Sequence, residues 1–298
     1  MDYYFNKKKI PAPQMSFTPD AVFPLIYAEK GVFQYQLVTD VSEDITLSGG
    51  NAFNAVADHA SVLLPLRKSL LSWETQTRCH FTVENAGASL RLTAEGFAAH
   101  AAHPSTGINA ISGLMSALSE LSPENELARI ATFYMEHIGF DLTGKGLGIH
   151  LTDEISGRLS FNVGKVEVCD HKVIFSIDNR VPVTYQCAQV QELIQKQLIG
   201  SGFRFENPYA TESIHVPEDS FLVQTLMESY RNVTGDMSAK PLVDGACSYA
   251  RALDNCVAFG ALLPDQPDLM HQTNECLELD KLDLWMKIYL DAIYRLAK

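Results

Sequence analysis

The 298-residue sequence lacks most of the features that place a protein quickly. It has no run near the ~18 consecutive apolar residues that a membrane-crossing helix needs, so no transmembrane segment is expected. Its first residues, M-D-Y-Y-F-N-K-K-K-I-P, hold no apolar core of the secretory kind, so no signal peptide is expected. Cationic residues are in deficit, 23 Lys and Arg against 36 Asp and Glu, giving a formal net charge of −13. That deficit argues against nucleic acid or an anionic membrane as main partner, since both are bound through basic patches. The six cysteines (Cys79, Cys169, Cys187, Cys247, Cys256, Cys276) form no C-x-x-C pair and no zinc-finger spacing. Most stand in apolar runs, so buried free thiols are expected, as in a cytoplasmic protein. What is present is a 46% hydrophobic, 20% charged composition able to bury a core, at a length that suggests two domains.

The patterning is mixed. Ala21 to Ala28 is a short, almost continuous apolar run bounded by turns, which reads as a buried strand. Phe33, Tyr35 and Leu37 alternate with polar neighbours, as in a half-exposed strand. Leu66 to Trp73 reads as helical. Cys79–Val83 and Ser89–Ala94 alternate around Asn85-Ala86-Gly87, a hairpin signal, and Phe161–Cys169 with Lys172–Asp178 gives another. Ile108, Ile111, Met115 and Leu118 recur at helical spacing. Further helices are expected over Glu126–Ile138, over Gln189–Ile199 closed by glycines, after Ser220 and ended by Gly235, and after Asp280 as cap. The last of these shows Leu282, Trp285, Tyr289, Ile293 and Leu296 as its apolar side. Cys256–Leu263 reads as a buried strand. The fold class is therefore α/β in the mixed α+β sense, with an antiparallel sheet carrying helices on one face.

One stretch concentrates chemistry: G-F-A-A-H-A-A-H-P-S-T-G-I-N-A-I, from Gly96 to Ile111. Its two histidines, His100 and His103, invite a metal reading because imidazole is the commonest metal-ligating side chain. A polar loop leading into a helix is the plainer alternative.

Six segments in order carry a resemblance: F-T-P-D-A-V-F-P-L-I-Y-A-E-K-G, G-G-N-A-F-N-A-V-A-D, G-F-A-A-H-A-A-H-P-S-T-G-I-N-A, I-D-N-R-V-P-V, S-Y-A-R-A-L and P-D-Q-P-D-L-M-H-Q-T-N-E. Together they resemble the zinc dipeptidases of the aminoacylase, carboxypeptidase and acetylornithine deacetylase superfamily, nearest to the bacterial broad-specificity dipeptidases. The resemblance implies a zinc-peptidase α/β catalytic domain split by an inserted lid of antiparallel sheet plus helices. Residues 1–32 and 206–298 would be catalytic and 33–205 the lid. It implies hydrolysis of short peptides or dipeptides by water shared between two zinc ions.

Carried over by position, Asp20 and His271 match zinc ligands. His100 matches a lid histidine that binds the developing oxyanion. Asn54 matches a substrate-binding asparagine. Arg180 matches an arginine that pairs with the substrate's C-terminal carboxylate. Gly245 and Ser248 match a loop that cradles substrate, although Ala246 and Cys247 depart from the glycines expected there. His103 matches no role. Each has a plainer alternative: a turn aspartate for Asp20, a solvated loop histidine for His271, a surface ion pair with Asp178 for Arg180, and turn chemistry for Asn54. The family's H-x-D histidine, bridging aspartate and paired glutamates have no counterpart, so the resemblance covers the later two-thirds of a family member. A chain inactive alone is expected, with an N-terminal segment or a second copy as partner. A non-catalytic peptide-binding remnant is the alternative, and among enzymes a carboxypeptidase or N-acyl amino acid deacylase.

Overall fold

A computed structural model describes residues 3–65, 77–121, 125–269 and 274–298. The expected helix at Leu66–Trp73 and the candidate ligand His271 lie outside the described residues. The chain forms two compact units, residues 31–212 and residues 1–30 with 213–298.

The unit 31–212 is built on an eight-stranded sheet in the order Arg204–Thr211, Gly31–Asp40, Lys172–Val181, Ser160–Cys169, Leu47–Gly49, His59–Pro65, Ser89–Glu95, His80–Ala86. Every neighbouring pair is antiparallel. Both expected hairpins are present, one of them turned where the Gly87 N–H donates to the Asn85 carboxamide. Period-2 alternation sends Phe33, Tyr35 and Leu37 into the core with Phe161, Val163, Phe175 and Ile177. The intervening Gln34 and Gln36 are only partly covered.

Among the described residues three α-helices join this sheet: α1 (Ala110–Leu121), α2 (Glu126–His137) and α3 (Cys187–Gln197). On α1, Ile111, Leu114, Met115 and Leu118 are buried, the i, i+3, i+4, i+7 stripe of a helix lying on a sheet. The Asn109 side-chain oxygen accepts from the Ile111 and Ser112 N–H groups, satisfying donors that the first turn of α1 leaves open. Asn125 does the same for α2, accepting from Ala128.

The other unit has a small mixed sheet. Ile26–Glu29 is its centre, paired antiparallel with Ile214–His215 and Cys256–Ala258 and parallel with Leu242–Asp244. Ser16–Thr18 runs parallel to Cys256–Ala258. Helix α4 (Phe221–Thr234) is capped by the Ser220 hydroxyl and ended by Gly235 in the left-handed conformation (φ 79°). Helix α5 (Leu282–Leu296) packs beside it and buries Trp285, Ile288 and Ala292.

Several expectations are corrected. The run Ala21–Ala28 is not one strand: Pro24, with no N–H to give, separates Ala21–Val22 from Ile26–Glu29. Cys256–Leu263 is likewise interrupted, at Phe259-Gly260. Asp280 does not cap α5; it sits in a 3₁₀ turn, Leu279–Lys281, that feeds the helix. Leu282 and Ile293 are exposed instead of lying on the buried side. All six cysteines are free, but three of them are exposed (Cys169, Cys247, Cys276).

Candidate active site

In the unit 31–212 the chemistry gathers on the sheet face away from the apolar core. The register sets Asn162, Asp178 and Gln34 side by side across three strands, with Ser160 opposite Arg180 one step along. The Gln34 carboxamide donates to Asp178 at 2.7 Å. Arg180 grips the same carboxylate with two N–H groups, Nε at 2.7 Å and Nη2 at 3.1 Å. Asp178 is fully buried and Arg180 only 4% exposed, so this is an interior ion pair, not a surface one. Burial pushes the Asp178 carboxyl above the usual carboxylate range, opposed by Arg180, by Gln34 and by positive charge on His100.

The buried Asn162 builds the next layer. Its amide donates to the backbone oxygens of Phe53 (3.2 Å) and Ala55 (2.9 Å), one on each side of Asn54. That anchored loop pairs with the histidine stretch: Val56 N–H donates to Ala99 O, Ala101 N–H donates to Asn54 O, and Ala55 and His100 form an antiparallel bridge. Ser160 adds a bond from its hydroxyl to Ala101 O. Asn54 and His100, sequence-distant, therefore ride on one locked ribbon, both exposed. Gly164 permits the close seating, because a Cβ there would stand 2.2 Å from Ala52 O. A cavity of about 410 Å³ is lined by Val56, Pro104, Asn109, Phe161 and Asn162 among others, but none of His100, Asn54 or Arg180 borders it. His103 is exposed at the start of a 3₁₀ turn, Pro104–Thr106.

In the other unit a buried carboxylate, Glu29 (1% exposed), organises the small-residue loop. It accepts from the Ser248 hydroxyl and N–H and from Arg251 Nε at 2.9 Å. Asp244 folds the loop start, accepting from the Gly245 and Ala246 N–H groups. Asp20 is exposed and accepts the Tyr249 N–H at 3.2 Å. The Ser248 hydroxyl is thus engaged within the protein, donating to Glu29 and accepting from Ala250 N–H.

Zinc does not fit the donors seen here. Among the described residues no group of three or more His, Cys, Asp or Glu could hold a metal ion. A tight zinc site needs three or four protein donors, and Asp20 belongs to no such group among the described residues.

A family described as a peptidase dimerisation domain matches residues 84–198. A Staphylococcus haemolyticus protein named as a dipeptidase is 32% identical over 99% of this chain. A Staphylococcus aureus protein of the same designation is 31% identical over 99%. Over residues 84–198 the chain belongs to the M20 peptidase family. It spans 66% of the length of these two M20 relatives. An M20 family metallo-carboxypeptidase from Sulfolobus solfataricus aligns over 99% of this chain and 67% of its own, at 15% identity and a TM-score of 0.47.

The structure brings Asn54 and His100 together within one unit, and Ser160, opposite Arg180 in register, bonds to Ala101 O next to His100. Gly245 and Ser248 share a loop in the other unit. Sequence reasoning missed Asn162, Gln34 and Glu29. The signal available was a charged residue ending an otherwise apolar strand, at Glu29.

Proposed function

We propose that the chain supplies the peptide-gripping part of an M20 hydrolase acting on short peptides. The observation that supports this most is the locked ribbon presenting Asn54 and His100 beside a buried Asp178–Arg180 pair. A neutral surface loop would not need that support. In this reading His100 donates to the carbonyl oxygen of the bound peptide, where negative charge develops on attack. Arg180 takes the C-terminal carboxylate and Asn54 helps bind the substrate. Asp178 holds the guanidinium plane in one orientation, which suits a fork-shaped donor. Gly245 and Ser248 belong to the substrate-cradling loop, and Asp20 and His271 are metal-ligand positions. Residues 33–205 act as lid, and residues 1–32 and 206–298 as catalytic-domain segments.

Two zinc ions would supply the activated water in the complete family site. The described residues gather no three donors that could hold them. The 298 residues by themselves are therefore expected to bind dipeptides without turning them over. Calorimetry with a dipeptide panel, zinc content and a hydrolysis assay on the same preparation test this. Dipeptide binding is expected, with His100→Ala weakening it about tenfold, the size of one charge-assisted hydrogen bond. Absence of binding across the panel refutes the proposal. Two tightly held zincs with turnover refute the inactive part alone. N-acyl amino acids and longer peptides in the panel separate deacylase and carboxypeptidase preferences from dipeptides.

A further inference from the structure

The edge strand Arg204–Thr211 carries a bulge that turns one aromatic residue onto the polar face of its sheet. Glu206 pairs with Gln36 and Tyr209 with Gln34, so three steps on the edge strand span two on its neighbour. The extra residue lies at Asn207-Pro208. There Asn207 takes a left-handed conformation (φ 50°), and its amide donates to the Gln36 side-chain oxygen at 2.6 Å. Proline, with no N–H to give, suits a bulge on an edge strand. Strict alternation from Glu206 would turn Pro208 onto the polar face and Tyr209 toward the core. The bulge reverses that phase. Tyr209 therefore joins the row of Gln34, Asp178 and Asn162, and Thr211 joins the row of Val32, Arg180 and Ser160.

Asp178 and Asn162 are buried, whereas Tyr209, at the edge of their row, is 61% exposed. Its hydroxyl accepts from the Thr211 hydroxyl at 3.4 Å, so the ring leans along the strand toward the Arg180 row. Between Thr211 and Arg180 that row holds Val32, which is short, apolar and buried. Neighbouring strands lie about 4.8 Å apart, which puts the Tyr209 strand about 10 Å from the Arg180 strand. An arginine, a tyrosine and one bound amino-acid side chain bridge that distance between them. We propose that Tyr209 is a specificity-determining residue, its ring packing against the side chain of the substrate's C-terminal residue and favouring apolar and aromatic ones. The inference rests on the grip of Arg180 on the C-terminal carboxylate proposed above, because the residue that carries this carboxylate is then the one beside Tyr209. An exposed tyrosine offers a large apolar surface with only two χ angles to order, which suits such a contact.

Calorimetry of the full chain with alanyl-phenylalanine, alanyl-leucine and alanyl-glycine tests the proposal, with far-UV circular dichroism to confirm that each variant is folded. The parent is expected to bind the first two about tenfold more tightly than alanyl-glycine, the gain of covering one large side chain with a ring. Tyr209→Ala is expected to bring that ratio close to one. Tyr209→Phe is expected to keep it, because the ring and not the hydroxyl makes the contact. A ratio unchanged by Tyr209→Ala, with all three dipeptides still bound, overturns the inference and leaves the Arg180 grip standing. A parent that binds the three alike does the same. An equal loss for all three in Tyr209→Ala overturns it as well, since a merely structural role moves affinity without moving preference. Absence of binding to any of the three overturns both the inference and the reading beneath it.

Discussion

Replacing Asn162 by alanine tests how the candidate site is held. Asn162 is 2% exposed and donates to Phe53 O and Ala55 O at 3.2 and 2.9 Å. Alanine removes both donors and leaves two carbonyls facing a small void. A typical hydrogen bond contributes about 0.5–1.5 kcal/mol net, and a buried group left unpaired costs about 1–3 kcal/mol. Phe53 and Ala55 are only partly buried. Water can reach part of the loss, so the lower end applies to each and the sum is about 2–3 kcal/mol. For a unit of this size that lowers the melting transition by roughly 4–12 °C. The local effect is more diagnostic. Val56 N–H and Ala101 N–H close the ribbon that joins Asn54 to His100, and their hydrogen exchange should speed up more than that of the hairpin amides between His80 and Glu95. Dipeptide affinity should fall with it. Asn162→Asp should do worse, since it sets a carboxylate against two carbonyls. An alanine variant that melts within a degree of the parent, with Val56 and Ala101 exchanging as before, would refute the claim that this side chain fixes the ribbon.

Three further outcomes follow from the same geometry. Glu29→Gln leaves the Arg251 guanidinium buried without its counter-charge; breaking a buried pair from one side costs about 3–5 kcal/mol, so thermal melting should show a large loss, and a near-neutral result would remove Glu29 as organiser of the Ser248 loop. Gly164→Ala puts a methyl 2.2 and 2.4 Å from the carbonyl oxygens of Ala52 and Phe53; the 50–55 loop must lift, and spectra of that loop should shift while those of the Ser89–Glu95 strand do not. Burial pushes the Asp153 carboxyl upward, but N–H and hydroxyl donors from Ser156 and Thr184 outweigh it and hold its pKa below the ordinary value. A depressed folded pKa contributes stability above the unfolded value, near ~3.9, that is lost as pH falls through the folded one; acid unfolding curves of Asp153→Asn should therefore be flatter than the parent's in that window, and identical curves would count against the assignment.

How much of this was legible in the sequence depends on the range of the interaction involved. The hairpins at Asn85-Ala86-Gly87 and after Cys169 were legible because alternation and turn chemistry are local, and so were α1, α2 and α4 through stripe and cap. Helix α5 was legible as a helix but not in its facing. Apolar residues occur on both sides, at Leu282 and Met286 as well as Trp285 and Ile288, and periodicity alone cannot say which stripe meets its own unit. The Pro24 break was hidden because a short apolar run reads as one strand. In the site, His100, Asn54 and Arg180 could be named by resemblance, but not their support. Gln34 and Asp178 are 144 residues apart, and Glu29 and Ser248 are 219 apart. Those partnerships exist only once register is set.

The polar row beneath the ribbon is also the strongest physical reason to seek function there. Ser176, Asp178 and Arg180 stand on one face of a central strand and are all nearly inaccessible to solvent. On the other face of that strand Asn179 donates to Tyr35, while its own carbonyl oxygen has no hydrogen-bond partner, and neither has the Ser176 hydroxyl. Each such group costs about 1–3 kcal/mol, and a buried ion pair often stabilises less than apolar residues of the same volume would. Valine or isoleucine along this strand would make a more stable sheet. A fold that carries a buried ion pair and an unpaired hydroxyl in one row, beneath the loop where Asn54 and His100 meet, is spending stability on orientation. Apolar replacement of the whole row should therefore raise the melting temperature while abolishing dipeptide binding. A row whose replacement lowered both would be structural and nothing more.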